Sequence, residues 1–173
     1  MNNVDILGHS RTLQGEFPRR GQKAKSFNLI SSHLSVISNT SILEDFILIC
    51  TYPSLDTYVC ASGIKQFNKL AKKHKNVKVI CVSSDLPFAC ARFEKSHDIS
   101  NAIIASTIHS ATFSLDYGVK IPSGIFKNLS ARSVVLLKKD LTVIYSQLAS
   151  KITDEIDYSE LDSELASCSI VIF

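Results

Sequence analysis

The chain lacks the features that would place it in or across a membrane. No stretch of its 173 residues approaches the roughly 18 consecutive apolar residues that a bilayer span requires. The opening MNNVDILGHSRTL has no basic segment followed by an apolar one, so no secretory leader is expected. Charge of one sign is also scarce: a net charge of +3 is too small to point to nucleic acid or a membrane surface. The one basic cluster, Lys69, Lys72, Lys73, His74 and Lys75, falls at the end of an expected helix, where cations suit the macrodipole. There is no C-x-x-C pair, which disfavours a dithiol oxidoreductase. The five cysteines are odd in number and irregularly spaced, unlike a secreted disulfide framework, so the expected compartment is the cytoplasm. The five histidines show no metal-ligand spacing, and neither a metal nor another cofactor is expected. Internal repeats and low-complexity segments are missing too, and one domain over residues 1–173 is the simplest organisation.

What is present is an alternation of strand and helix patterns. Residues 4–17 read as a hairpin turning around Gly8 to Ser10, and Ser26–Ile30 as a short strand. FILICT, Phe46–Thr51, is an apolar run of strand length suited to a central position. From Ala61 the period changes: Ile64, Phe67, Leu70 and Ala71 recur at helical spacing among lysines and Gln66. VKVICV, Val77–Val82, is the next strand. A helix then follows through Phe93, with Asp85 as its expected cap and Pro87 in its first turn. Asn101–Ser106 predicts a strand and Ala111–Tyr117 a short helix. Arg132–Leu137 and Leu141–Gln147 predict a hairpin, Ile156, Leu161 and Leu165 a last helix, and residues 167–173 an apolar tail. This order predicts an α/β fold with a mixed central sheet flanked by helices on both faces. It fits a thioredoxin-like architecture with an N-terminal β-hairpin extension.

The stretch PSLDTYVC, residues 53–60, lies where a strand hands over to a helix. A thiol attacks as its thiolate, and a helix N-terminus favours an anion through free N–H groups and the dipole. Pro53 fixes the entering backbone and can shield the thiol from bulk water. Thr57, three residues before Cys60, can face it across one turn and bridge thiolate and substrate oxygen. On local physics alone, a small buried thiol at a helix start is an equally open reading of Cys60.

PSLDTYVC matches the P-x-x-x-T-x-x-C motif of the peroxiredoxins. With YPSLDTYVCASGIKQFN, VICVSSDLPFACARF, LDYGV and LSARSVVLLKKDLTVIYSQL, residues 4–165 resemble one branch of that family, the bacterial thiol peroxidases. The resemblance implies an antioxidant enzyme that reduces hydrogen peroxide and organic hydroperoxides through a cysteine sulfenic acid. It implies Cys60 as the peroxidatic nucleophile, with Thr57 and Pro53 as its motif partners. Arg132, in SARSVV, matches the arginine that holds the thiolate and polarises the peroxide. Thioredoxin as reductant and a homodimer also follow from the resemblance, and no nucleic-acid or membrane partner is expected.

The match breaks at the resolving thiol. The branch usually carries it after ARF, where this chain has Glu94. Cys90 lies one helical turn earlier on roughly the same face and is the leading candidate resolver. Cys168, in the expected tail, is the alternative. Cys50 and Cys81, inside apolar strands, are expected to be core residues. Two other functions stay open: a one-cysteine peroxidase resolved by an external thiol, and a peroxide sensor or holdase with little turnover.

Overall fold

In the computed structural model, which describes residues 2–168, a small hairpin comes first: β1 (Asn3–Ile6) and β2 (His9–Thr12). Its turn is Leu7–Gly8, one residue earlier than the sequence pattern suggested. Both residues have positive φ, 54° and 87°, and the Gly8 amide donates to Asp5 Oδ1. Such a turn matches the twist of a hairpin, and glycine carries the left-handed backbone without strain.

The main sheet is built from β3 (Asn28–Ser31), β4 (Val36–Ser38), β5 (Phe46–Thr51), β6 (Val77–Ser83), β7 (Ile103–Ser106), β8 (Ser133–Lys138) and β9 (Val143–Leu148). Their spatial order is β4-β3-β7-β6-β5-β8-β9. The central β7, β6 and β5 are parallel, and antiparallel strands flank them on both sides. Between the strands run α1 (Tyr58–Lys73), α2 (Pro87–His97), the one-turn α3 (Phe113–Asp116) and, last, α4 (Tyr158–Cys168).

The sheet is mixed and apolar on both faces, as its central strands require. Alternate residues point to opposite sides. Leu48, Cys50, Val79, Cys81, Val134 and Leu136 pack on one face under α1, α2 and α4. Ile47, Ile49, Ile80, Val82, Val135 and Leu137 pack on the other, under the β1–β2 hairpin and α3. All five cysteines belong to the first of these layers.

Several expectations shift. The short edge strand β4 was not anticipated, because its three residues sit among serines that read as loop. Asp85 does not cap α2. The N-cap is Leu86, without a side-chain hydrogen bond, and Pro87 takes the first turn as expected. Cys168 is not in a tail: α4 runs on through it, so the tail boundary at residue 167 falls inside the helix. Residues 169–173, including the apolar Ile170 to Phe173, lie outside the described residues. No helix among the described residues is long and apolar enough to cross a membrane.

Candidate active site

The parallel strands β5 and β6 both end on the same edge of the sheet, the usual location for a site in such a layout. β5 gives way to residues 52–57, and α1 begins at Tyr58. Thr57 is the N-cap, with extended backbone (φ −88°, ψ 143°). Its Oγ1 accepts from the Cys60 amide at 3.4 Å and donates to the Ser54 carbonyl at 3.3 Å. Cys60 therefore occupies the first turn, among amides that lack helical partners. The residue is only 1% exposed, behind the buried Tyr52, Pro53 and Leu55.

Arg132 reaches Cys60 through sheet register rather than through local sequence. Ser133, the first residue of β8, pairs with Thr51, the last of β5. Thr51 Oγ1 lies 2.7 Å from both the Ala131 carbonyl and Ser133 Oγ, pinning the strand entry. Arg132 thus flanks the β5 exit, and its Nη2 donates to Cys60 Sγ at 3.2 Å. The arginine is 2% exposed. A buried cation is costly without an anionic partner, and the cysteine sulfur is the group placed to provide one.

Asp85, freed from capping, ties this loop to the start of α2. Its carboxylate accepts from Ser54 Oγ at 2.8 Å, from the Leu55 amide at 2.8 Å and from Ser83 Oγ at 2.7 Å. Local pattern says little of this role, since two of the three donors lie about 30 residues upstream. The acceptor-rich, short side chain after a strand was the only hint.

The remaining thiols are all buried and free of disulfides. Cys50 and Cys81 are in-register partners on β5 and β6, in keeping with core roles. Cys90 is fully buried under α2. Burial, then the charges of Asp85 and Glu94, push its thiol up to about 12. Cys168 Sγ donates to the Glu164 carbonyl at 3.3 Å, and burial raises its ionisation above the ordinary cysteine value. Glu94 stands where a resolving thiol was expected. Its carboxylate accepts from Ser32 Oγ at 2.7 Å and from the Ile104 amide at 3.3 Å, fastening α2 to β3 and β7.

The structure therefore brings together Cys60, Thr57, Pro53 and Arg132. It leaves Cys90 and Cys168 as neutral thiols in the core beneath them. A thiol at a helix start, with a threonine hydroxyl capping its amide and a guanidinium on its sulfur, is equipped for nucleophilic attack on a small polar electrophile.

Residues 19–165 match the Redoxin family. The chain is 35% identical over 167 residues to the thiol peroxidase of Corynebacterium glutamicum, a match covering 96% of this chain and 99% of that one. It is 31% identical over 158 residues to the thiol peroxidase of Vibrio cholerae, covering 91% and 96%. Among solved structures, a peroxiredoxin-like protein from Aquifex aeolicus superposes with a TM-score of 0.91 at 33% identity, covering 96% of this chain and 97% of that one. Thiol peroxidase from Chromobacterium violaceum, 22% identical, shares the fold with a TM-score of 0.88 over 97% of each chain.

Proposed function

The chain belongs to the Redoxin family, and from that membership and the geometry around Cys60 we propose a thiol-dependent peroxidase with Cys60 as its nucleophile. The observation that carries this reading is the 3.2 Å contact from Arg132 Nη2 to Cys60 Sγ at a capped helix start. The thiolate attacks one peroxide oxygen. A sulfur–oxygen bond forms, the oxygen–oxygen bond breaks, and the departing alkoxide or hydroxide takes up a proton. Cys60 becomes a sulfenic acid and the peroxide becomes an alcohol or water.

Arg132 and the Cys60 amide supply fixed donors for the charge that builds on the leaving oxygen, so they favour the transition state over the ground state. Thr57 has two long hydrogen bonds, 3.3 and 3.4 Å, and little is lost when its hydroxyl turns to a peroxide oxygen. Pro53 is buried in the loop that leads into α1 and is read as shielding the sulfur from bulk water. A cation and a cap dedicated to the thiol favour turnover over a sensor or holdase.

For recycling, the reading takes Cys90 as the resolving thiol. Its sulfur attacks the sulfenic sulfur, water leaves, and the Cys60–Cys90 disulfide is reduced by thioredoxin. Because Cys90 is neutral and buried, this step requires α2 to open at its start. The same burial favours a second reading, in which an external thiol resolves Cys60 and Cys90 stays in the core. Five unbonded thiols suit a reducing cytoplasm, and the working unit is taken to be a homodimer.

The test is peroxide turnover driven by thioredoxin and its reductase, with disulfide mapping after one equivalent of peroxide. Cys60→Ser is expected to stay folded and to abolish turnover. Cys90→Ser is expected to stop after one turnover and to expose Cys60 to over-oxidation. Turnover surviving in Cys60→Ser removes the assignment. Normal cycling in Cys90→Ser transfers the resolving role to Cys168 if Cys168→Ser stalls, and to an external thiol if it does not.

A further inference from the structure

Arg132 is almost wholly buried, yet among the described residues its one side-chain hydrogen bond goes to Cys60, and its Nε has no partner. A second buried polar atom without a partner, Tyr158 Oη of α4, lies close by. Both groups face Gly63. A Cβ added at Gly63 would stand 3.0 Å from Tyr158 Oη and 3.6 Å from Arg132 Nη1. Gly63 is three residues beyond Cys60 and inside α1, where glycine weakens a helix. Its presence is explained by the approach of the Tyr158 hydroxyl, which a Cβ would crowd, while Arg132 Nη1 stands at ordinary van der Waals distance. The Arg132 charge acts on the Tyr158 hydroxyl, opposing a stronger upward push on its ionisation from burial and from Glu155.

We propose that Tyr158 is a positioning residue for the peroxide step: its hydroxyl steadies the Nη1 end of the Arg132 fork so that Nη2 stays on the Cys60 sulfur. The inference rests on the reading of Cys60 and Arg132 as the peroxide-reacting pair. Tyr158 stays protonated, since burial holds its ionisation far above neutrality, and so its unpartnered oxygen is open to the guanidinium as a neutral acceptor. Catalytic hydrogen bonds are commonly loose before substrate arrives and tighten in the reacting complex. The chain gives the hydroxyl a fixed address. The Tyr158 ring packs edge-on against Phe67 of α1, centroids 5.5 Å apart, and the buried Leu161 seats α4 one turn later. An arginine that can rotate within its pocket would hold the thiolate less often and would meet the leaving oxygen off line. A misplacement of this kind is costly in rate.

Tyr158→Phe removes only the hydroxyl and keeps the ring on Phe67. In single-turnover stopped flow, sulfenic acid formation is expected to slow markedly, up to the roughly 100-fold that a 1 Å misplacement can cost. The thiolate absorbance near 240 nm at pH 7 is expected to fall with it, and the melting temperature to change little. Gly63→Ala, which crowds Oη from the helix side, is expected to move rate and absorbance in the same direction. Unchanged rate and absorbance in Tyr158→Phe overturn the inference, as does slowing that comes with a lower melting temperature and unaltered thiolate absorbance. Arg132→Met is the control: if it slows the reaction while Tyr158→Phe does not, the inference fails alone. If neither slows it, the reading of the site fails as well.

Discussion

At the residue scale, the central fact is a buried cation whose hydrogen-bonded partner is a thiol. Arg132 is 2% exposed and donates to Cys60 Sγ, and desolvating a guanidinium costs several kcal/mol unless an anion offsets it. The pair is therefore mutual: Arg132 is a fixed donor to the sulfur, and the sulfur is the hydrogen-bonded partner of the buried guanidinium. Oxidation to a sulfenic acid replaces that sulfur contact, which favours loosening of the loop and α1 start when resolution requires it. This mutual dependence can be measured. Cys60→Ser is expected to lose about 1.5–3 kcal/mol of stability, the range for a hydrogen bond to a charged group. Arg132→Met in that background is expected to recover part of the loss, because the unpaired charge goes with it. Urea unfolding of the four proteins in the cycle reads the coupling. Additive effects of the two substitutions would show that the pair carries no mutual energy.

At the element scale, α2 is the part that must move, and three side chains set how easily. Asp85 links its start to the Ser54–Leu55 loop, Glu94 ties its later turns to Ser32 just after β3 and to β7, and Cys90 is on its buried face. Burial, Asp85 and Glu94 push the Cys90 thiol up to about 12, whereas an unfolded cysteine ionises near 8.5. Between those values the opened segment has released a proton that the closed one keeps. The stability contributed by closure is therefore complete below about pH 8.5 and is lost as pH rises towards about 12. Wild-type protein is expected to lose more stability between pH 7 and pH 10 than Cys90→Ala does, in reducing urea titrations. Equal losses would place Cys90 outside the opening unit. Much of this element was hidden in the sequence. Asp85 read as a helix cap because capping is a local pattern, while its actual donors Ser54 and Leu55 come from another loop. β5, β6 and the amphipathic α1 were legible, since apolar runs and a 3.6-residue period are written into consecutive residues. Cys60, Thr57 and Arg132 were named from a family motif. The 72-residue separation of Arg132 from Cys60 is closed only by the Thr51–Ser133 register, which no local pattern encodes. Tyr158 and Gly63 were not singled out, because their meeting depends on how α4 packs on α1.

At the scale of the whole molecule, the edge that carries Cys60 is also unusually apolar on its outside. The parallel strands β5, β6 and β7 end together there, and an exposed large apolar side chain follows each of them. Tyr58 opens α1 and is 89% exposed; Leu86 and Phe88 flank the start of α2, with Phe88 at 68%; Ile108 follows β7. Single exposed apolar residues need no explanation, but several gathered on one rim mark a surface that another molecule covers. A second copy of this chain would bury the same residues twice around a two-fold axis, and aromatic side chains such as Tyr58 and Phe88 suit the centre of such a contact. The homodimer is thus expected to form through the rim around the Cys60 loop. Phe88→Glu places a charge on the exposed first turn of α2, where the folded monomer has room for it. The double variant Tyr58→Glu/Phe88→Glu is expected to sediment as a folded monomer at micromolar concentration, where the unaltered protein is expected to sediment as a dimer. Because Tyr58 and Phe88 open the two helices that bear Cys60 and Cys90, loss of the partner is also expected to slow peroxide turnover several-fold without unfolding the chain. Analytical ultracentrifugation with a parallel turnover assay decides it: an unaltered protein that is monomeric, or a double variant that remains dimeric, would remove the rim as the subunit contact.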